Sequence, residues 1–180
     1  MTTVSAIKKK SDIKKIEKYF ADNNKRDLLM FVFGINTGLR ISDILKLNIS
    51  DVKNKQDLCI KEQKTGKFKN FPLNSKLIRL IDEYTQNTEG CVPLFMTKYG
   101  NRLDRIEAYK ILNKACKIND VNVNIGTHTL RKTFGYHFYK KYKDIVLLQK
   151  IFNHSTPNVT LRYIGIEEDE IFEKYLKFIL

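Results

Sequence analysis

Five side chains stand out in this 180-residue sequence because together they could hold a phosphate group and attack it. Arg40 lies in the first quarter of the chain, and His128 and Arg131 are three residues apart further on. Tyr163 follows His154 by nine residues. An arginine fork matches two phosphate oxygens, and a phenol near positive charge or a base can become a nucleophile. The set predicts attack on a phosphate by a tyrosine hydroxyl without a metal ion.

Each of these residues also has a plainer interpretation when it is taken alone. Arg40 could form a structural ion pair with Asp43, although the same carboxylate could instead orient the guanidinium toward a ligand. An isolated histidine or tyrosine is more often a packing residue, and His137 is assigned to packing for this reason. Lys64, beside the glycine of a predicted turn, is either a mobile proton donor or a solvated lysine.

The elements that must position these residues are predicted to be mainly helical. Apolar periodicity predicts a short helix after residue 42, another start near residue 156, and longer helices at 11–22, 27–35, 75–85, 104–118, 128–142, 145–152 and 169–179. Leu58–Ile60 and Phe68–Phe71 are predicted strands around a turn that contains glycine. The predicted fold class is α+β, mainly α with a small antiparallel β-sheet. Residues 11–180 form one predicted domain, which a mobile basic lead-in at residues 1–10 precedes.

The composition restricts the partners and the compartment. Lysine and arginine total 33 against 20 acidic residues, a formal net charge of +13. This balance favours a polyanionic partner, although a basic surface can also serve solubility alone. Cys59, Cys91 and Cys116 form no CxxC pair, which indicates reduced thiols. No apolar run is long enough for a membrane span, and the N-terminus lacks the apolar region of a signal peptide. The sequence therefore predicts a cytoplasmic protein.

The motifs, in their order and spacing, resemble the catalytic domain of tyrosine recombinases, the phage integrase family. The resemblance extends from about residue 7 to the end and depends on Gly38–Asp43, Lys64–Lys67, His128–Arg131, His154 and Tyr163. It implies integration or recombination of double-stranded DNA at a specific site, through a 3′-phosphotyrosine intermediate and without a metal or other cofactor. The alternatives are strand relaxation of the type IB topoisomerase kind and a DNA-binding relative without catalytic activity.

The resemblance implies that three cationic residues surround the scissile phosphate. Arg40 and Arg131 would clamp its non-bridging oxygens, His154 would assist them, and Asp43 would support Arg40 from behind. These charges would stabilise the negative charge that grows in the transition state.

The resemblance also implies the proton transfers. Tyr163 would be the nucleophile, and His128 would contact the phosphate and help to take the phenolic proton. Lys64 would protonate the leaving 5′-oxygen. Four further basic residues are predicted to contact DNA: Lys67, Lys69, Lys132 and Arg162.

The sequence departs from the family pattern in several places. Asn153 stands before the second histidine, where glycine is common, but asparagine tolerates a positive φ better than most residues. Asp43 replaces the more frequent glutamate. The N-terminal helical domain that family members usually have is missing, which predicts either an excised catalytic fragment or a short standalone protein. For the tail, Ile171–Leu180, the resemblance implies a C-terminal helix that docks on a neighbouring protomer on DNA, and the alternative is a helix folded back on its own core.

Overall fold

The computed structural model of the chain describes residues 4–61, 66, 68–166 and 175–179, with the backbone alone at residues 61 and 69. The helices and strands follow in the order α1 (Lys10–Asn23), α2 (Lys25–Thr37), α3 (Ile41–Ile44), a 3₁₀ turn (Ile49–Asp51), β1 (Asp57–Lys61), β2 (Phe68–Pro72), α4 (Ser75–Thr85), α5 (Arg105–Ile118), α6 (Thr129–Tyr142), α7 (Ile145–Phe152) and α8 (Pro157–Ile164). The predicted fold class, mainly α with a small antiparallel sheet, is confirmed. Within the described ranges no helix has the length and apolarity that crossing a membrane requires.

Helix α2 is the centre of the fold because its residues are apolar on nearly every side. The run from Leu29 to Phe33 is fully buried, and the helix contacts α1, α4 and α6. At its crossing with α6, a Cβ on Gly34 would lie 2.5 Å from Leu130 Cδ1, so this close approach requires glycine. The helix ends at Gly38 with φ +65°, a conformation that glycine adopts without steric cost. Gly38 therefore turns the chain abruptly into the segment that contains Arg40.

The two strands form a hairpin that is anchored at its open end. The predicted antiparallel pairing of two strands is present, and in its register Asp57 pairs with Pro72 and Lys61 with Phe68. Leu58 is fully buried in the main core, whereas Phe68, next to the turn, is 70% exposed. The hairpin therefore packs on the domain through Leu58, whereas the Phe68 side chain faces solvent.

A second, smaller apolar core joins helices α6, α7 and α8. Its buried members are Leu148 and Phe152 in α7, with Ile164 and Ile166 at the end of α8. Helix α7 ends at Asn153, with φ +53°, and α8 ends at Gly165, with φ +73°. These left-handed residues reverse the chain sharply after each helix. Helix α6 contacts both α7 and α8, so the three helices converge beside the end of α2.

The segment before α1 packs on the domain. Residues 4–9, here called the N-terminal strap, lie along α6, and Ile7 is only 1% exposed. The Ile7 N–H donates to Thr133 Oγ1 at 2.9 Å, and the Ser5 N–H donates to the Asn124 carbonyl at 3.0 Å. The mobility predicted for residues 1–10 is therefore wrong for residues 4–9. The lysines that follow made the segment look like a basic tail, and its apolar part is too short to show a period.

Candidate active site

Arg131 lies at the junction between the two cores. Its Nη1 donates to the Gly38 carbonyl at 2.6 Å, and its Nη2 donates to the Phe152 carbonyl at 2.9 Å. The guanidinium carbon also lies 4.2 Å from the centre of the Phe152 ring. The residue is 6% exposed, so α2, α6 and α7 together fix the position of this charge.

Arg40 is held less tightly than Arg131. It is the residue immediately before α3, and its Nη1 lies 3.9 Å from Asp43 Oδ2. The Asp43 side chain is 5% exposed, whereas the Arg40 side chain is 28% exposed. A buried carboxylate thus orients a guanidinium that still reaches solvent. The structure contains the ion pair of the plainer interpretation, and this pair leaves Arg40 able to meet a ligand.

Tyr163 and His128 form the hydrogen bond that a nucleophile and its base require. The phenolic oxygen lies 3.1 Å from His128 Nδ1. His128 precedes the first residue of α6 and makes no capping bond with its side chain. The helix predicted to begin at His128 therefore begins one residue later, at Thr129. The imidazole points to Tyr163 instead of closing the helix end.

Burial and charge act on these two groups in opposite directions. Burial raises the pKa of Tyr163 above its ordinary value, although the positive charges of Arg131 and Arg40 and a hydrogen bond with Arg131 partly offset the rise. Desolvation lowers the pKa of His128, and so do its cationic neighbours, which are Arg131, Lys132, Arg40 and Arg105. At neutral pH the phenol keeps its proton and the imidazole is neutral. The geometry of the pair thus allows a proton to pass from the phenolic oxygen to the imidazole nitrogen.

His154 packs against the same tyrosine and is oriented by a threonine. Its ring centroid lies 5.1 Å from that of Tyr163, and its Nδ1 lies 3.0 Å from Thr160 Oγ1. Thr160 gives its single hydroxyl proton to the Thr156 carbonyl at 3.3 Å. This network assigns the proton to His154 Nδ1. Asn153, just before, adopts the left-handed conformation for which asparagine is suited.

Two residues near this cluster were missed in the sequence. Thr160 is fully buried, and only its place opposite His154 reveals its role. Arg105, the first residue of α5, lies close enough to His128 for its charge to lower the pKa of the imidazole. The capping Asp104 marks the start of α5 in the sequence, but nothing local shows that this helix end faces His128.

The other predicted site residues are Lys64 and the four basic residues that were predicted to contact DNA. Lys64 and Lys67 lie outside the described residues, and Lys69 is described only by its backbone, which pairs with Ile60. Arg162 is exposed one residue before the tyrosine. Lys132 is half-buried, and its ammonium donates to the Val4 carbonyl at 2.7 Å. DNA contacts by Lys67, Lys69, Lys132 and Arg162 stay predictions, and so does the role of Lys64 as a proton donor.

The arrangement can bind and polarise one tetrahedral anion. The charges of Arg40 and Arg131 act on the phenolic oxygen, and the neutral imidazole of His128 forms a hydrogen bond with it. The His154 ring packs beside the Tyr163 ring. Such fixed donors stabilise charge that develops on phosphate oxygens, because they need no reorganisation during the reaction.

Comparison with known proteins gives the family of the chain. Residues 8–170 match the phage integrase family. The chain is 45% identical over 179 residues to the probable integrase/recombinase YoeC of Bacillus subtilis (strain 168), covering 99% of this chain and 98% of that protein. It is 29% identical to tyrosine recombinase XerC of Pelobacter propionicus, covering 79% of this chain and 48% of the relative. The chain thus spans nearly the whole Bacillus protein and about half of XerC.

Solved structures share the fold. XerA recombinase superposes with a TM-score of 0.78 at 17% identity, covering 98% of this chain and 65% of that one. XerH recombinase bound to a palindromic difH substrate, in a post-cleavage complex, superposes with a TM-score of 0.75 at 20% identity. The match covers 96% of this chain and 53% of the XerH chain. The catalytic domain of bacteriophage HP1 integrase superposes with a TM-score of 0.67 at 25% identity. The match covers 90% of this chain and 88% of that domain. With a family match over residues 8–170 and a relative of the same length at 45% identity, the chain belongs to the phage integrase family of tyrosine recombinases.

Proposed function

We propose that this protein is a site-specific DNA recombinase or integrase catalytic domain that cuts and rejoins DNA through a covalent bond to Tyr163. The observation that supports this most directly is the 3.1 Å hydrogen bond between the phenolic oxygen and His128 Nδ1, beside the charges of Arg40 and Arg131. Membership of the phage integrase family supports the same reaction. The site of action would be double-stranded DNA in the cytoplasm.

In the proposed reaction, Tyr163 Oη attacks the phosphorus of one strand while His128 Nδ1 takes the phenolic proton. Arg40 and Arg131 neutralise the charge that grows on the non-bridging oxygens, and His154 assists them at the same phosphate. The bond between phosphorus and the 5′-oxygen breaks, and the family resemblance assigns the proton donor for that oxygen to Lys64. Because the phosphodiester is replaced by a phosphotyrosine ester, a 5′-hydroxyl of another strand can reverse the step without ATP.

The test is trapping of the covalent intermediate. A cognate duplex with a nick just beyond the cleavage site loses its short 5′-hydroxyl fragment by diffusion, so the adduct accumulates as a shifted band under denaturing conditions. Relaxation of a supercoiled plasmid that lacks the site is measured with the same protein, to test the topoisomerase alternative. The integrase and recombinase relatives do not favour that alternative. Failure to form an adduct on the cognate site, or relaxation of plasmid lacking it, would contradict the proposal.

DNA affinity is expected to depend steeply on salt. The chain has a formal net charge of +13, and each neutralised phosphate releases condensed counterions. We expect the dissociation constant for duplex DNA to rise about a hundredfold or more between roughly 50 and 200 mM salt. Fluorescence anisotropy with a labelled duplex measures this slope. An affinity that is flat across the series would rule out an interface dominated by phosphates.

Thr160→Val is expected to slow cleavage about tenfold, because a residue that orients a functional histidine typically matters by that order. Valine keeps the volume of this buried side chain but cannot accept the proton of His154 Nδ1. The rate is measured by single-turnover cleavage of the nicked duplex. Thr85→Val is the matched control: Thr85 is fully buried and its hydroxyl also donates to the carbonyl four residues earlier, but no histidine contacts it. Equal cleavage rates for the two variants would show that Thr160 has no role in orienting His154.

We further propose that copies of the protein associate on DNA through their C-terminal residues. Within the described tail, Tyr175, Leu176, Phe178 and Ile179 are between 69% and 88% exposed, which does not support folding back on the chain's own core. A groove of about 460 Å³ beside the hairpin is lined by Phe71, Pro72, Phe134, Phe138, Ile151 and neighbouring polar residues. This groove is the proposed acceptor for the tail of a neighbouring copy.

Phe178→Glu is expected to abolish the complex of two copies on a duplex with two binding sites, while single-copy binding and thermal stability stay unchanged. The phenylalanine is 71% exposed, so a charge there costs the free monomer little. Native gel shifts on one-site and two-site duplexes measure the effect. Tyr99→Glu is the control, because Tyr99 is 77% exposed on another part of the surface. Unaltered two-copy complexes in the Phe178 variant would disprove tail-mediated association.

A further inference from the structure

Lys132 lies between the N-terminal strap and the tyrosine nucleophile. Its ammonium donates to the Val4 carbonyl at 2.7 Å and lies 5.2 Å from the centre of the Tyr163 ring. A cation over an aromatic face at this distance attracts the ring through its quadrupole. One side of the lysine therefore holds a backbone carbonyl, and the other side faces the ring that carries the proposed nucleophilic oxygen.

The strap that provides this carbonyl is itself fixed to α6. The Ile7 N–H donates to the buried Thr133 Oγ1 at 2.9 Å, and His137 Nε2 donates to the Ile7 carbonyl at 2.9 Å. Val4 packs closely against Gly126, where an added Cβ would collide with the valine side chain. The Val4 carbonyl is thus a fixed anchor at the end of the helix where His128 lies.

We propose that the N-terminal strap is a structural part of the active site: the Val4 carbonyl holds Lys132 against the ring of Tyr163 and so fixes the nucleophile beside His128. The inference rests on the proposed function, since it assigns Lys132 as a positioning residue for that reaction. It also gives Lys132 an internal role in place of the DNA contact that the sequence suggested.

The charge of Lys132 acts on the base as well as on the nucleophile. The groups facing His128 are the phenol of Tyr163 and four cations, of which α6 provides Arg131 and Lys132, the segment before α3 provides Arg40, and α5 provides Arg105. Together with desolvation, these cations lower the pKa of the imidazole. Removal of the Lys132 charge should therefore raise the pKa of His128 and move the acid limb of cleavage to higher pH.

The first experiment compares Lys132→Met with Lys132→Arg and with Lys140→Met in the full chain. Methionine keeps an unbranched apolar stem without the charge, and arginine keeps the charge. Lys140, on the same helix, lies 5.8 Å over the ring of Tyr136 and is the matched control. NMR titration without DNA follows the three histidines, and single-turnover cleavage across pH follows the reaction.

Lys132→Met should raise the pKa of His128, shift the acid limb in the same direction and slow cleavage about fivefold at neutral pH. In Lys132→Arg and in Lys140→Met, the pKa of His128, the acid limb of the pH profile and the cleavage rate should stay near those of the wild type. The slope of affinity against salt should be unchanged in every variant. If instead Lys132→Met lowers that slope by about one charge and leaves the His128 titration unchanged, Lys132 binds a phosphate and the proposal is overturned.

The second experiment releases the strap without touching Lys132. Thr133→Val leaves the Ile7 N–H without its acceptor, whereas Thr133→Ser keeps the hydroxyl. Hydrogen exchange of the Ile7 amide reports whether the strap has opened. We expect faster exchange and a severalfold slower cleavage for valine, with both restored in serine. Faster exchange with a wild-type cleavage rate would overturn the role of the strap. Because histidine titration and amide exchange need no DNA, they remain informative even if the wild type forms no covalent adduct.

Discussion

Tyr163→Phe is expected to abolish covalent attachment to DNA, with a loss of more than about a thousandfold in cleavage rate. The substitution removes one oxygen and keeps the ring, which packs at 5.1 Å from the His154 ring and 5.6 Å from the Phe152 ring. DNA affinity should therefore stay the same. Loss of the hydrogen bonds to His128 and Arg131 should lower the free energy of unfolding by about 1–3 kcal/mol.

Tyr136→Phe is the control for this prediction. Tyr136 lies on α6 and packs against the same apolar core as Tyr163, and its ring lies beneath the ammonium groups of Lys8 and Lys140. Adduct formation on the nicked duplex, read on a denaturing gel, should be normal in this variant. An adduct that persists in Tyr163→Phe would mean that another residue is the nucleophile, and the proposed chemistry would have to be abandoned.

The two arginines are expected to differ in what they contribute to stability. Arg131→Ala and Arg40→Ala should each slow cleavage by about a hundredfold to a thousandfold, because each removes a charge that faces the developing phosphorane. Arg131→Ala should also lower the free energy of unfolding by about 2–4 kcal/mol, since the buried carbonyls of Gly38 and Phe152 lose their donors. Arg40→Ala should change it by less than about 1 kcal/mol, because its 3.9 Å ion pair is partly exposed.

Urea denaturation and single-turnover cleavage, measured on the same preparations, separate the two effects. Cleavage must be assayed well below the unfolding midpoint of the Arg131 variant, so that the loss of activity does not merely reflect unfolding. Arg131→Lys offers a further comparison, because one ammonium cannot reproduce two donors in a planar fork. Equal stability losses for Arg40→Ala and Arg131→Ala would show that the proposed division between a structural and a solvent-facing arginine is wrong.

Much of the fold could be predicted because its signals are local. The apolar run from Leu29 to Phe33 predicts a buried helix, and Gly38 predicts its end, since only a residue that accepts a positive φ can cap it there. The hairpin and the helix starting at Pro157 have equally short signals, a glycine turn and a proline near the first helical position. The predictions were wrong where the local pattern was ambiguous. In the N-terminal strap, the neighbouring lysines resembled a mobile basic tail, although the segment packs on the domain.

The sequence by itself determined the kinds of group in the site and their order along the chain. A phenol nine residues after a histidine, with arginines behind a helix-ending glycine and in a His-x-x-Arg motif, already indicates phosphate chemistry. Only the tertiary structure decided which atoms meet. Arg131 donates hydrogen bonds to the carbonyls of Gly38 and Phe152, which are 93 and 21 residues away in the sequence. Lys132 donates to the Val4 carbonyl, which is 128 residues away. Such contacts leave no periodicity in the sequence, because they depend on how helices cross once apolar burial has packed them together.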